Sequence, residues 1–173
     1  LALMLLRRME PGDLVVLCGC GPRAHDGEEE SDALPQERLA RLCRRVRASG
    51  GRVAVDGAFS SLGYLHTARP EVALFTRKQL QTLTGVAPRD PARLRAAMAM
   101  AAGDTVDTVL VPCGGSAVTQ LSHAHMTRGC ISRFDMEGYS ARAVRSSALA
   151  GERILAGYAA GMALCADEED CLK

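Results

Sequence analysis

The sequence predicts an α/β fold with three layers, in which helices cover both faces of a mostly parallel sheet. The first observation behind this prediction is that short apolar runs alternate with segments of helical periodicity along the chain. The second is that each apolar run ends in small or polar residues, as strands that border a ligand cleft do. The third is that 47% of the 173 residues are hydrophobic, which is enough for one core. Alternating strands and helices imply right-handed crossovers between parallel strands.

Four continuous apolar runs are the predicted strands, because strands buried on both faces lose the polar alternation of a half-exposed strand. They span about residues 13–18, 52–56, 72–75 and 107–112. The last of them runs into a glycine turn in DTVLVPCGG (107–115).

Helical segments lie between these strands. Residues 2–9 are typical of the end of an amphipathic helix, which the following Pro-Gly pair breaks. The segment 35–51 places its apolar side chains three and four residues apart and then reaches a glycine stop. The residues concerned are Leu39, Leu42, Cys43 and Val46, followed by Gly50.

Two further helices have recognisable ends. The segment 76–85 predicts a short helix that Gly85 terminates. Asp90 and Pro91 supply an N-cap and a first-turn proline for a helix over ARLRAAMAMAAG (92–103).

Composition excludes several classes of function. The formal net charge of +1 gives no electrostatic footprint for nucleic acid or for an anionic membrane surface. The opening LALMLL has only six apolar residues, far fewer than the ~20 of a spanning helix. The seven cysteines are odd in number and scattered, which favours reduced thiols in a cytoplasmic protein.

Two clusters of metal-binding residue types are better explained without a metal. His123 and His125 could share one strand face, but no third ligand lies nearby in the sequence, so surface histidines are favoured. Cys18 and Cys20 are favoured as packing thiols. We therefore predict no dedicated metal site from these four residues.

The carboxyl ends of the predicted strands should form the edge of a cleft, because ligands of parallel sheets bind there. Asp56 ends one strand and either caps a turn or lines this cleft. Gly114 and Gly115 end another strand and either form a simple turn or border a nucleotide site.

Five segments, taken in order, resemble the C-terminal half of ribokinase-type sugar kinases, in particular the phosphofructokinase-B group with 1-phosphofructokinase and tagatose-6-phosphate kinase. The resemblance runs over nearly all 173 residues. GDLVVLCGCGP resembles the family's GDLVVLAGSLP, and VALFTRKQLQTLTG resembles IKPNxxELxxLxG. GRVAVDGAFSSL matches a strand that ends in Asp, VDTVLVPCGGSAV a strand that ends in SLGxxGA, and SSALAGERILAGY the segment STVGAGDSxxAGF.

The resemblance implies an activity and a set of site residues. The family transfers the γ-phosphate of ATP, with Mg²⁺, to a hydroxyl of a sugar or sugar phosphate. Glu152 falls on the family's catalytic base, while Ala150 and Gly151 fall on a turn whose N–H groups bind phosphate at a helix N-terminus. Arg153 would meet a phosphate or point to solvent, and the helix should run from about Gly151 to Ala163.

The same comparison places Gly114 and Gly115 beside the nucleotide. Thr76 and Gln79 fall where the family uses Asn and Glu around magnesium and phosphate.

This chain departs from the family pattern at its functional positions. Leu149 stands where the family has the first glycine of its phosphate turn, and Glu152 is one methylene longer than the family's Asp. The resemblance therefore leaves two functions open: an ATP-dependent phosphosugar kinase of reduced activity, or a non-catalytic relative that binds a nucleotide or sugar phosphate as a regulatory protein. Without the resemblance, Glu152 is simply an acid in the first turn of a helix. A third possibility, an unrelated protein with a dinucleotide-binding fold, lacks support because no GxGxxG signature follows a strand in this sequence.

Residues 1–173 are expected to form one ribokinase-like domain that lacks the N-terminal half and the last helices of the family. The family's sugar-contacting residues and its dimerising lid belong mostly to that N-terminal half, so the full-length protein is expected to bind a phosphosugar and ATP and to form a homodimer. The final ADEEDCLK is expected to begin a helix capped by Asp167.

Overall fold

A computed structural model describes most of the chain. It covers residues 2–18, 35–57, 59–112, 117–122, 131–133 and 147–163, with the backbone alone at 2–3, 5, 117–118, 122, 131–133 and 147–153. The expected helix start at Asp167 and the pairs His123/His125 and Gly114/Gly115 lie outside the described residues.

Six helices and six strands are described. The helices are α1 (Ala2–Arg8), α2 (Gln36–Ala48), α3 (Leu62–Ala68), α4 (Arg77–Thr84), α5 (Pro91–Ala102) and α6 (Ser147–Ala163). The strands are β1 (Leu14–Leu17), β2 (Arg52–Asp56), β3 (Val72–Leu74), β4 (Thr108–Pro112), β5 (Ala117–Ser122) and β6 (Ile131–Arg133).

The strands form one sheet in the order β1-β2-β3-β4-β5-β6. β1 to β4 are parallel, which confirms the four predicted strands to within about a residue at each end. β5 and β6 run antiparallel and were not predicted. Only four residues separate β4 from β5, whereas a parallel connection needs about a dozen or more, so this pair must be antiparallel.

Helices cover both faces of the sheet, as predicted. Alternate side chains of a strand point to opposite faces, so Val53 and Val55 of β2 face one layer and Ala54 faces the other. The first layer contains buried residues of α2, α3, α4 and α5, among them Leu39, Leu65, Leu80 and Leu94. Across the sheet, Leu155 and Tyr158 of α6 pack with Ala54, Val72, Leu74 and Leu110.

The predicted helix ends are also confirmed. Asp90 Oδ1 accepts a hydrogen bond from Arg93 N at 2.9 Å, which caps α5 ahead of Pro91. Gly85 ends α4 in the left-handed conformation, with φ of 73°. Leu39, Cys43 and Val46 of α2 are fully buried.

Replacing Leu155 by alanine should destabilise the fold, because α6 is the one described helix on its side of the sheet and Leu155 is fully buried there. Removing a buried leucine side chain lowers the free energy of unfolding by about 2–5 kcal/mol. Urea unfolding measures this change. The control is Met100→Ala on α5, where the side chain is 43% exposed and a change within about 0.5 kcal/mol is expected. Equal effects of the two substitutions would contradict this packing of α6.

Candidate functional site

The described part of the carboxyl edge lies where β2 and β3 end side by side. Asp56 is paired in register with Leu74, and Gly57 N donates a hydrogen bond to Leu74 O at 2.7 Å. Phe75 and Thr76, which follow β3, therefore lie at the same edge of the sheet as Asp56. Asp56 is half-buried and Thr76 is exposed, so polar groups of two neighbouring strands face the same edge.

Thr76 and Gln79 are brought together, but mainly to cap α4. Thr76 Oγ1 accepts a hydrogen bond from Gln79 N at 3.2 Å, and Gln79 Oε1 accepts one from Thr76 N at 2.8 Å. This reciprocal arrangement is a capping box, which satisfies two backbone donors at the start of a helix. Sequence reasoning missed it, although the pattern Thr-x-x-Gln before an apolar helix is the signature of such a box.

Gly57 lies beneath the Gln79 side chain. Its φ of 53° is in the left-handed region that favours glycine. A Cβ at Gly57 would come within 2.8 Å of Gln79 Cδ, so a larger residue could not fit without moving that amide. The Gln79 side chain thus links the end of β2 to the start of α4.

A second polar contact holds the segment that follows β2. Gln36 Nε2 donates to Ser60 Oγ at 2.6 Å, and Ser60 N donates to Gln36 Oε1 at 3.0 Å. Phe59, which lies in the sequence between β2 and Ser60, is buried and only 2% exposed. The described edge is therefore anchored to the first turn of α2 and to the core.

The prediction of a turn at Leu149–Glu152 is wrong, because α6 already begins at Ser147. The first four N–H groups of a helix have no intrahelical acceptor, and these belong to the residues before Gly151. The N–H groups of Gly151 and Glu152 instead fall within the helix. The sequence explains the difference, since alanine and leucine at 148–150 favour helix where the family has a glycine turn.

The start of α6 at Ser147 also bears on the other predictions for this segment. No acidic residue lies in the first turn of α6, so the interpretation of Glu152 as a first-turn acid is also wrong. Ala150, Gly151, Glu152 and Arg153 lie on the helix backbone, and their side chains are outside the described residues. Their roles in phosphate binding and catalysis stay predictions, as does the role of Gly114 and Gly115.

Thr76 and Gln79 do not fit the magnesium ion that the resemblance implies. Magnesium in phosphoryl-transfer sites is held by carboxylates together with phosphate oxygens. Both of these side chains are neutral, and Gln79 Oε1 already accepts the hydrogen bond from Thr76 N. In this arrangement the two residues act as structural partners and not as metal ligands.

Within the described ranges, none of the helices combines the length and the apolar character that crossing a membrane requires.

The chain has a ribokinase-like fold, which solved structures of sugar kinases share. Phosphofructokinase-2 from Escherichia coli, solved in complex with fructose-6-phosphate, matches 98% of this chain with a TM-score of 0.72 and 17% sequence identity. Ribokinase from Arabidopsis thaliana, complexed with ribose and ATP, matches 92% with a TM-score of 0.68 and 18% identity. A tetrameric inhibited form of the Escherichia coli enzyme matches 99%, with a TM-score of 0.72 and 18% identity.

The chain spans about half the length of these structures, covering 50%, 46% and 51% of them respectively. No protein-family model and no curated protein matched the sequence. The predicted ribokinase-like fold is confirmed, since the likeness extends over nearly the whole chain.

Replacing Gly57 by alanine should destabilise the protein more than the same change at Gly85. Both glycines have positive φ, so both substitutions meet backbone strain of about 1–2 kcal/mol. Only Gly57 also meets the Gln79 side chain, because no atom lies within 4 Å of a Cβ at Gly85. Urea unfolding of the two single variants measures the difference.

Combining Gly57→Ala with Gln79→Ala tests the cause of this difference. The second change removes the amide that a new Cβ would meet, so the further effect of Gly57→Ala should fall to that of Gly85→Ala. If Gly57→Ala lowers the free energy of unfolding equally with and without Gln79→Ala, Gln79 does not pack against Gly57.

Proposed function

We propose that this protein is an ATP-dependent phosphosugar kinase with a turnover well below that of ordinary kinases. The observation that carries this proposal is the order and placement of the elements, which follow sugar kinases over 98% of the chain in spite of 17% identity. Fold alone does not define a function. Retention of a carboxylate at Glu152, on the family's catalytic base, adds chemical support from the sequence.

In the proposed reaction, the Glu152 carboxylate takes the proton from a hydroxyl of the sugar phosphate. The hydroxyl oxygen then attacks the γ-phosphorus of ATP, and ADP leaves. Phosphoryl transfer depends mainly on positioning and on stabilisation of charge, so the reaction needs N–H donors aimed at the transferred group. The sugar phosphate and ATP are proposed because the solved relatives are recorded with fructose-6-phosphate and with ribose and ATP.

The reason for proposing a low turnover is the position at which α6 begins. With the helix beginning at Ser147, the N–H groups of Gly151 and Glu152 lie at positions that bond to carbonyls one turn earlier. They are then not available to a phosphate. Glu152 is also one methylene longer than Asp, and a misplacement of about 1 Å can reduce a rate about a hundredfold.

The second candidate is a non-catalytic relative that binds a nucleotide or a sugar phosphate. The capping box favours it, because Thr76 and Gln79 satisfy each other at the position where the family places groups around magnesium. Such a protein would bind its ligand and release no ADP. As in the sequence prediction, a homodimer of the full-length protein is part of either proposal.

Replacing Leu149 by glycine and Glu152 by aspartate together should raise kinase activity. Glycine disfavours the helix upstream of Gly151 by about 1 kcal/mol and removes the branched side chain, while aspartate restores the family's base. The measurement is ADP release by the full-length protein, in which the sugar-contacting residues are expected, with fructose 1-phosphate, fructose 6-phosphate and tagatose 6-phosphate. The unchanged protein should turn over below about 1 s⁻¹, the lower limit of ordinary kinases.

The variant Leu149→Ala with Glu152→Asp is the matched control. Alanine removes the bulk of leucine but keeps a strong helix former, so activity should rise less than with glycine. Turnover of the unchanged protein at roughly 1–100 s⁻¹ would contradict the proposed impairment. Binding of Mg-ATP in calorimetry, with no ADP release by any variant, would instead support the non-catalytic candidate.

A further inference from the structure

A basic groove lies between α2 and α3, away from the carboxyl edge residues Asp56, Thr76 and Gln79. Its volume is about 560 Å³. The lining consists of five arginines and two alanines: Arg41, Arg44, Arg45, Arg47, Ala48, Ala68 and Arg69. No carboxylate is among these lining residues, so we refer to this feature as the arginine groove.

The spacing of the arginines on α2 directs them to one surface. Arg44 and Arg45 follow Arg41 by three and four residues, which places the three side chains on neighbouring positions of the helix face. Arg41 is paired with Glu37 at 2.9 Å, and this pair is largely exposed, with 68% of each side chain accessible. The guanidinium groups of Arg44, Arg45 and Arg69 have no hydrogen-bond or ion-pair partner among the described residues. Three cations are therefore available to a ligand.

The two sides of the arginine groove are held together by a direct contact. Arg47 Nη1 donates a hydrogen bond to Arg69 O at 2.7 Å, which joins the last turn of α2 to the end of α3. Arg69 has φ of 50° and is the one non-glycine residue with positive φ in the described ranges. Arg69 is the C-cap residue of α3, where the left-handed conformation ends the helix but costs a residue with a Cβ some backbone strain. Glycine would adopt it more easily but would remove the fifth cation.

Stabilisation of helix ends does not account for the whole cluster. Arg45 and Arg47 lie in the last turn of α2, where a positive charge is favourable to the helix dipole. Arg41 and Arg44 lie further from that end, where the effect has faded. Arg69 lies at the C-terminal end of α3 and lines the groove opposite them. The concentration of charge is also local, because the whole chain has a net charge of only +1.

We propose that the arginine groove binds a small polyanion with two or more phosphate groups. Arginine presents paired N–H donors that match the oxygens of a phosphate, and such charge-assisted bonds are stronger than neutral ones. A volume of about 560 Å³ falls in the range of small-molecule sites. A small ligand is favoured over nucleic acid, since the balanced total charge offers no long basic surface for a polymer.

Binding of inorganic tripolyphosphate to the full chain, measured by isothermal titration calorimetry, tests this proposal. At about 0.05 M ionic strength, where screening is weak, we expect a dissociation constant below about 1 mM. Orthophosphate should bind at least about tenfold more weakly, because it can engage fewer arginines at once. The double variant Arg44→Gln/Arg45→Gln should weaken tripolyphosphate binding by about tenfold or more, and Arg69→Gly by several-fold.

The variant Arg93→Gln/Arg95→Gln is the matched control, because it removes the same charge from α5, outside the arginine groove. Its dissociation constant should stay within about twofold of the unchanged protein. An equal loss in both arginine double variants would overturn the proposal, since it would indicate attraction to total charge alone. The proposal also fails if tripolyphosphate does not bind while a single-stranded oligonucleotide or an acidic peptide binds through Arg44 and Arg45.

Discussion

The structure depends on covering both faces of the parallel strands β2, β3 and β4. Parallel strands of this kind are stable only where helices shield each face, because their side chains are apolar on both. Five of the described helices, α1 to α5, pack on one face, whereas among the described residues α6 alone covers the other, through Leu155 and Tyr158. Tyr158 is held further by a hydrogen bond from Gln120 Nε2 at 3.2 Å. α6 is one continuous helix over Ser147–Ala163, so the N–H groups of Gly151 and Glu152 lie at positions that bond to carbonyls one turn earlier.

The carboxyl edge likewise has a structural arrangement at positions where the resemblance predicts ligand contacts. After the end of β3, Thr76 and Gln79 form the capping box of α4. Gln79 also rests against Gly57, so the end of β2 and the start of α4 stabilise each other. A fold shared with sugar kinases can persist under these changes, because the sheet and its helices need the core residues and not the phosphate-binding groups. In the proposed kinase these substitutions reduce the rate and leave the scaffold intact.

Much of the fold could be predicted from the sequence, because buried strands and helices have recognisable spacings of apolar residues. The strand over 52–56 and the ends of α4 and α5 follow from apolar runs, Gly85 and the Asp90-Pro91 pair. The helix α3 and the strands β5 and β6 were missed, since AVTQLS (117–122) and ISR (131–133) mix polar with apolar residues and lack the continuous apolar run that marks β1 to β4. The start of α6 was wrong because the family resemblance outweighed the helix propensity of 148–150. The arginine groove could not be found either, as Arg69 meets Arg44 and Arg45 only through the packing of two helices.

The central claim is that α6 is helical from Ser147 and leaves no phosphate-binding turn at Leu149–Glu152. The most direct test is to measure the Cα chemical shifts of residues 147–152 by NMR, with and without Mg-ATP. Our account predicts helical shifts from Ser147 onward and amide resonances of Gly151 and Glu152 that do not move when Mg-ATP is added. Helical shifts that begin only at Gly151, together with a large movement of those two amide resonances, would contradict it.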